Sequence, residues 1–264
     1  MRINLLLSVI FINFSSFIYS AQAVTVSSIV SVCGATTINN ADCRHTPDKY
    51  QVTIYEMGLC TVNPMSTGTF NTAACTKTFE NTTGDVQDIA SQIGNKVKLD
   101  GTSTRPADGT YGFPYIKLSN VFTVKSSYTV GGTKYYSKSD NDATTNSALW
   151  SDFNETLTTF AAGCDPEYLG ATVDVGTISA YLVQNTTPPV NATAGGGSCG
   201  NAVFLMGVIA LDTPLEIDST TIQLSFNFNV TNYGSQITGD TGDIPDEFGS
   251  GPFSGTFTQV KSTD

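Results

Sequence analysis

Thr221–Ile222–Gln223–Leu224–Ser225–Phe226–Asn227–Phe228–Asn229–Val230 sets the fold class of this chain. Ile222, Leu224, Phe226, Phe228 and Val230 fall on one side of an extended strand, and polar residues fall on the other. That two-residue period is what a half-buried antiparallel strand requires. Upstream, Val203–Leu211 lacks alternation and is rich in large apolar residues, as expected of a central strand covered on both faces. Tyr50, Val52 and Ile54 alternate again, and further strands are expected over Val24–Val32, Tyr115–Lys125, Lys134–Ser137, Val173–Val183 and Phe253–Val260. Turn formers separate these runs, as at Asp100–Gly101, Gly131–Gly132 and Thr187–Pro188–Pro189. Two segments carry helical spacing instead. Leu149, Phe153, Leu157, Phe160 and Ala161 follow Asn146–Ser147, and Val86, Ile89, Ala90 and Ile93 stop at Gly94. The expectation is an all-β chain, an antiparallel Greek-key β-sandwich with two short capping helices and three disulfides.

Residues 1–23 read as a signal peptide: Arg2, an apolar middle from Leu5 to Ile18, and a small-x-small site at Ala21–Gln22–Ala23. The apolar run is interrupted by Ser8, Asn13, Ser15 and Ser16, which argues against a retained membrane anchor. No later apolar run is long enough for a helical span. Residues 24–264 are then read as a single secreted domain, extracellular, at the cell surface or in the periplasm. All six cysteines (Cys33, Cys43, Cys60, Cys75, Cys164 and Cys199) lie in that part, and an even count in an exported chain reads as a disulfide framework. Six cysteines admit fifteen pairings. The pairing of sequence neighbours is favoured: Cys33–Cys43, Cys60–Cys75 and Cys164–Cys199. Zinc is disfavoured, because there is no C-x₂-C pair and His45 is the only histidine.

Twelve Lys and Arg stand against 23 Asp and Glu, a formal charge of −11. Such an excess opposes nucleic-acid binding, which needs clustered cations. It equally opposes electrostatic docking on anionic lipid. Hydrophobic residues at 40% oppose charge-driven disorder.

Pro47–Asp48–Lys49–Tyr50–Gln51–Val52–Thr53–Ile54 is followed by Pro106–Ala107–Asp108–Gly109–Thr110–Tyr111 and a strand through Ile116 and Leu118. This order of strand, loop and Pro…Gly-x-Tyr turn resembles secreted bacterial immunoglobulin-like β-sandwich domains, over about residues 47–125. Members of that group largely lack an assigned activity, so the resemblance implies fold and export only. The C-terminal half departs from it.

Catalytic chemistry finds little footing. A Ser-His-Asp arrangement would have to use His45, which reads as an exposed loop histidine, and no G-x-S-x-G elbow occurs. Acid pairs are present at Asp152 and Glu155, Asp165 and Glu167, and Asp246 and Glu247. Any acidic chain offers as many, although glycoside hydrolysis needs such a pair. No cofactor motif is present. Calcium is the one ligand whose hard-oxygen chemistry suits a loop here: Asp240, Asp243, Asp246 and Glu247, with Asp140–Asn141–Asp142 as a second oxygen-rich turn. Neither has EF-hand spacing, and a solvated acidic loop is the plainer reading. Sequons at Asn81, Asn154, Asn185, Asn191 and Asn229 are expected by chance in a chain this rich in Asn and Thr.

The expectation is therefore a non-catalytic extracellular structural or surface-assembly protein whose partners are itself or other extracellular proteins. Val24–Val32 could pair with a neighbour's sheet edge, although an ordinary edge strand of its own sheet is the plainer reading. The alternative is a secreted module that binds carbohydrate, aided by calcium, through the acidic loop and Tyr111, Tyr115, Tyr128, Tyr135 and Tyr136.

Overall fold

The alternating stretch is a strand in the computed structural model, which describes residues 31–36, 38, 43–160, 168–173, 175–195, 198–240 and 244–262. In chain order the first strands are β1 (Cys43–His45), β2 (Lys49–Cys60), β3 (Cys75–Asp88), β4 (Thr102–Ser103), β5 (Gly109–Tyr111), β6 (Phe113–Ser119) and β7 (Val121–Lys125). Next come β8 (Ser127–Val130), β9 (Thr133–Ser137), β10 (Ala143–Thr144), β11 (Phe153–Thr156), β12 (Tyr168–Val173) and β13 (Gly176–Val183). The last are β14 (Phe204–Leu211), β15 (Leu215–Ile217), β16 (Thr221–Asn229), β17 (Ser235–Asp240), β18 (Ile244–Ser250) and β19 (Ser254–Lys261). Every pairing between these strands is antiparallel.

β2 organises a nine-stranded sheet. One edge of β2 carries β3, with β4 beyond it. Its other edge pairs first with β7, through Lys49–Gln51, and then with β6, through Ile54–Cys60. β6 leads on to β14, β13 and β12, and β7 leads to β11. Asn120 makes the break between β6 and β7. It is buried, and its side-chain amide donates to the carbonyls of Leu157 (3.0 Å) and Ala202 (3.1 Å). A polar side chain thus supplies hydrogen bonds at an interruption of the ladder, where buried carbonyls need partners. Smaller sheets complete the structure: β1-β17-β18, β10-β9-β8, β15-β5 and the β16–β19 ribbon.

β14 is central, as its unbroken apolar run requires, with Leu205 through Ile209 buried in sequence. Leu205 joins a core with Tyr50, Leu118, Ile237 and Phe248, while Met206 and Val208 join another with Tyr115, Met65 and Phe70. Both faces of the large sheet are covered near β14. The second covering is the loop closed by Cys60–Cys75, which carries Met65 and Phe70.

Cys33–Cys43 and Cys60–Cys75 are bonded as expected, and no described cysteine is free. Two disulfides suit an oxidising, extracellular setting. Cys164 lies outside the described residues, so the third bridge is not among those seen. Of the expected N-terminal strand only its last residues are described. Val32 forms a parallel bridge with Arg44, whose backbone N–H donates to the Ser31 carbonyl.

The two capping helices are not found: no described helix reaches seven residues. Asn146 does cap a turn, accepting from the Ala148 N–H, but the turn ends after Ser147–Leu149. The chain then extends into β11, where Phe153 pairs with Val124. An i, i+4 repeat is also an even repeat, so Phe153 and Leu157 share a face in either geometry. Both pack on the main core. Val86 belongs to β3, and only Ala90–Gln92 forms a helical turn before Gly94, whose φ of +79° ends it.

Among the described residues no helix is long and apolar enough to cross a membrane.

Candidate functional site

β16 places Leu224, Phe226 and Phe228 on one face, as its alternation dictates, yet all three are only partly buried. They face β2 and β3 across an open groove of about 1010 Å³, a size within the usual range for ligand pockets. Ile54, Met57 and Phe79 line the opposite side, and Ile217 and Phe257 line it from neighbouring strands. The aromatic rings of the ribbon brace one another: Phe226 lies 4.6 Å from Phe228 and 4.8 Å from Phe257, both edge-on. Gly255 makes that packing work, since a Cβ there would lie 2.2 Å from the Phe226 ring.

A strap of chain forms one side of the groove. Residues 92–99 line it; Ile89 and Ala90 hold one end of the strap against the core and Leu99 holds the other. Backbone bonds fix the ends, from Ile89 N–H to the Tyr50 carbonyl and from Asp100 N–H to the Asp85 carboxylate. Between them Ile93 and Val97 stay about half exposed, at 52% and 42%. Ile222, at 67%, carries the apolar row out to solvent at the end of β16.

A second, smaller hollow of about 170 Å³ is lined by Asn141, Glu155, Thr238, Glu247 and Ser250, among others. It joins the two oxygen-rich segments, because Asp142 bridges Glu247 and the Phe248 N–H donates to the Asn141 carbonyl (2.8 Å). Burial raises the Glu155 carboxyl above its ordinary range, opposed by the Ser250 N–H and Arg44, and reinforced by Glu247. Sequence reading missed Glu155 with Glu247, because residues so far apart meet only through sheet packing.

Of the four residues proposed for calcium, Asp240 ends β17 opposite Ile244, and Asp243 lies outside the described residues. Asp246 and Glu247 are exposed neighbours on β18. In the companion turn Lys138 takes both acids, Asp140 at 3.2 Å and Asp142 at 2.8 Å, and holds the Asp140 carboxyl below its usual range. No group of three or more potential metal-binding side chains occurs among the described residues.

Of the acid pairs read from sequence, Asp152 is tied to Lys49 (2.5 Å), while Asp165 and Glu167 lie outside the described residues. The proposed sugar platform is divided. Tyr111 and Tyr115 are buried, so neither can stack on a ligand, while Tyr128, Tyr135 and Tyr136 are half-buried. Trp150 packs against Tyr136 (5.6 Å) beneath Lys125, and its indole N–H donates to the Ser126 carbonyl.

His45 is not an exposed loop residue. It lies in β1, 5% exposed, between Tyr128 (4.9 Å between ring centres) and Phe248 (6.0 Å). Its Nδ1 sits 3.0 Å from the Thr46 carbonyl, and its Nε2 has no hydrogen-bond partner in the structure. Burial lowers its pKa to about 4, against opposing pulls from the Thr46 carbonyl and Asp48. A histidine walled in by aromatic rings is a packing element, not a catalytic base open to substrate.

Comparison with known proteins gives no matching family, no matching curated protein and no matching solved structure.

Proposed function

We propose that this chain is an exported, non-catalytic binding module that takes its ligand into the groove between β16 and the β2–β3 face. In this reading residues 1–23 are removed, residues 24–264 form one domain, and the sheets stack as a Greek-key, immunoglobulin-like sandwich. The observation that carries the proposal is the under-filled apolar row of β16. Leu224, Phe226 and Phe228 are the residues a sandwich would bury, yet they border open volume. Unfilled apolar volume of this size is costly to keep, and exposed apolar surface that is grouped tends to mark binding sites.

The test uses the uncharged dye N-phenyl-1-naphthylamine. Saturable one-to-one binding by the mature protein is expected, weakened by Ile222→Glu, which adds a charge at the mouth where the residue is already exposed. Absence of saturable dye binding would refute the reading.

Surface assembly is the second reading, favoured by the β16–β19 ribbon, whose strands pair only with each other among the described strands. Unpaired strand edges can accept a neighbour. Sedimentation of the mature protein decides it, since monomers at high concentration count against it. The calcium proposal at Asp240, Asp243, Asp246 and Glu247 predicts a higher melting temperature with calcium than with chelator.

A further inference from the structure

We infer that the groove takes a single-chain amphiphile with an anionic head, of which a long-chain fatty acid is the type, with its hydrocarbon along β16 and its carboxylate at Lys96 and Lys98. This rests on the binding-module reading and adds the ligand class.

The charge distribution is the first support. The chain carries 23 Asp and Glu, yet no acid appears among the described residues that line the groove. Three cations do: Lys96, Lys98 and Arg105. Arg105 is already engaged, by Asp108 (2.8 Å) and the Asp218 carbonyl (2.5 Å). Lys96 and Lys98 make no ion pair or hydrogen bond among the described residues. Both are exposed on the strap, flanking Val97. An acidic protein thus presents two unengaged ammonium groups at the rim of its apolar groove, which selects an anionic head.

The shape is the second support. From Leu224 to Phe228 the apolar row runs about 13 Å at the rise of a strand, and Ile222 continues it at a bulge. Ile54, Met57, Phe79, Leu224, Phe226 and Phe228 give the groove an apolar strip, flanked by polar side chains such as Thr78, Gln87 and Asn227. The apolar strip along β16 is favourably covered by a hydrocarbon chain, which brings no polar groups that would need partners against those rings.

The experiment measures displacement of N-phenyl-1-naphthylamine from the mature protein by decanoate, dodecanoate and tetradecanoate, with decanol as the uncharged comparison. Each added methylene should tighten binding about fourfold until the groove is filled. Lys96→Gln/Lys98→Gln should weaken the carboxylates by up to about fivefold per lysine and leave decanol unchanged. Raised salt should act like the substitution. The melting temperature of the double variant serves as the folding control. If decanol and decanoate displace the dye equally in both proteins, the head-group assignment is overturned and the binding module stands. If the dye is displaced only by phosphatidylglycerol vesicles, the single-chain assignment is overturned. If the dye never binds, both readings fall.

Discussion

Acidification should unlock the structure through His45, and because the chain has one histidine the effect can be followed at a single group. In the folded state burial holds the imidazole pKa to about 4, from an ordinary 6.5. Between those values the unfolded chain binds a proton that the folded chain refuses. Stability from this group is complete above pH 6.5 and drains away as pH falls toward 4. At 1.36 kcal/mol per pKa unit the full loss is about 3 kcal/mol, most of it incurred by pH 4.5. The assay is urea unfolding of the protein and of its His45→Phe variant, at pH 7 and pH 4.5. Phenylalanine retains a ring between Tyr128 and Phe248 but cannot be protonated. Carboxylates titrate in both proteins and cancel in the difference, so wild type should lose about 2.5 kcal/mol more than the variant. An NMR titration of the lone imidazole should place its folded-state midpoint near 4. Equal losses in the two proteins, or a folded midpoint near 6.5, would show that the imidazole is hydrated and the reasoning wrong.

Other perturbations probe the framework. Replacing both Cys60 and Cys75 by serine opens a loop with a sequence separation of 15, and should cost about 3 kcal/mol in urea unfolding. A loss under 1 kcal/mol would mean that Met65 and Phe70 hold that loop without the bridge. Gly255→Ala would set a methyl group against the Phe226 ring, which must swing into the groove. Dye capacity should fall together with melting temperature, and unchanged dye binding would place the ligand elsewhere. Met206→Ala empties a fully buried position between two strands and should cost roughly 2–5 kcal/mol by denaturant midpoint.

Much of the β architecture was legible because a strand writes its environment into a period of two. The unbroken run at Val203–Leu211 predicted its strand and its burial, whereas the Ile222–Val230 alternation predicted its strand but not the partial exposure of Leu224, Phe226 and Phe228. The disulfides closed between neighbours in sequence, where short loops bring cysteines together. The helices failed for a definable reason, since a four-residue repeat satisfies both periods and only the pairing partner of Phe153 distinguishes them. His45 was misread because three residues of strand between a cysteine and a proline look like loop. The groove was invisible in advance. Its walls come from β2, β3 and β16, far apart in sequence, and its one local trace was Lys96–Val97–Lys98, two cations in a stretch without acids until Asp100.

Asn120 carries a consequence for the order of events during folding. The carbonyls its side chain needs lie 37 and 82 residues further along. A polypeptide delivered from its N-terminus must therefore wait for Ala202 before the corner between β6 and β7 can close. Until then β2 and its early neighbours stay exposed and loosely joined, and contacts of such long range slow the collapse. The corner is therefore completed only once three quarters of the chain is available to it.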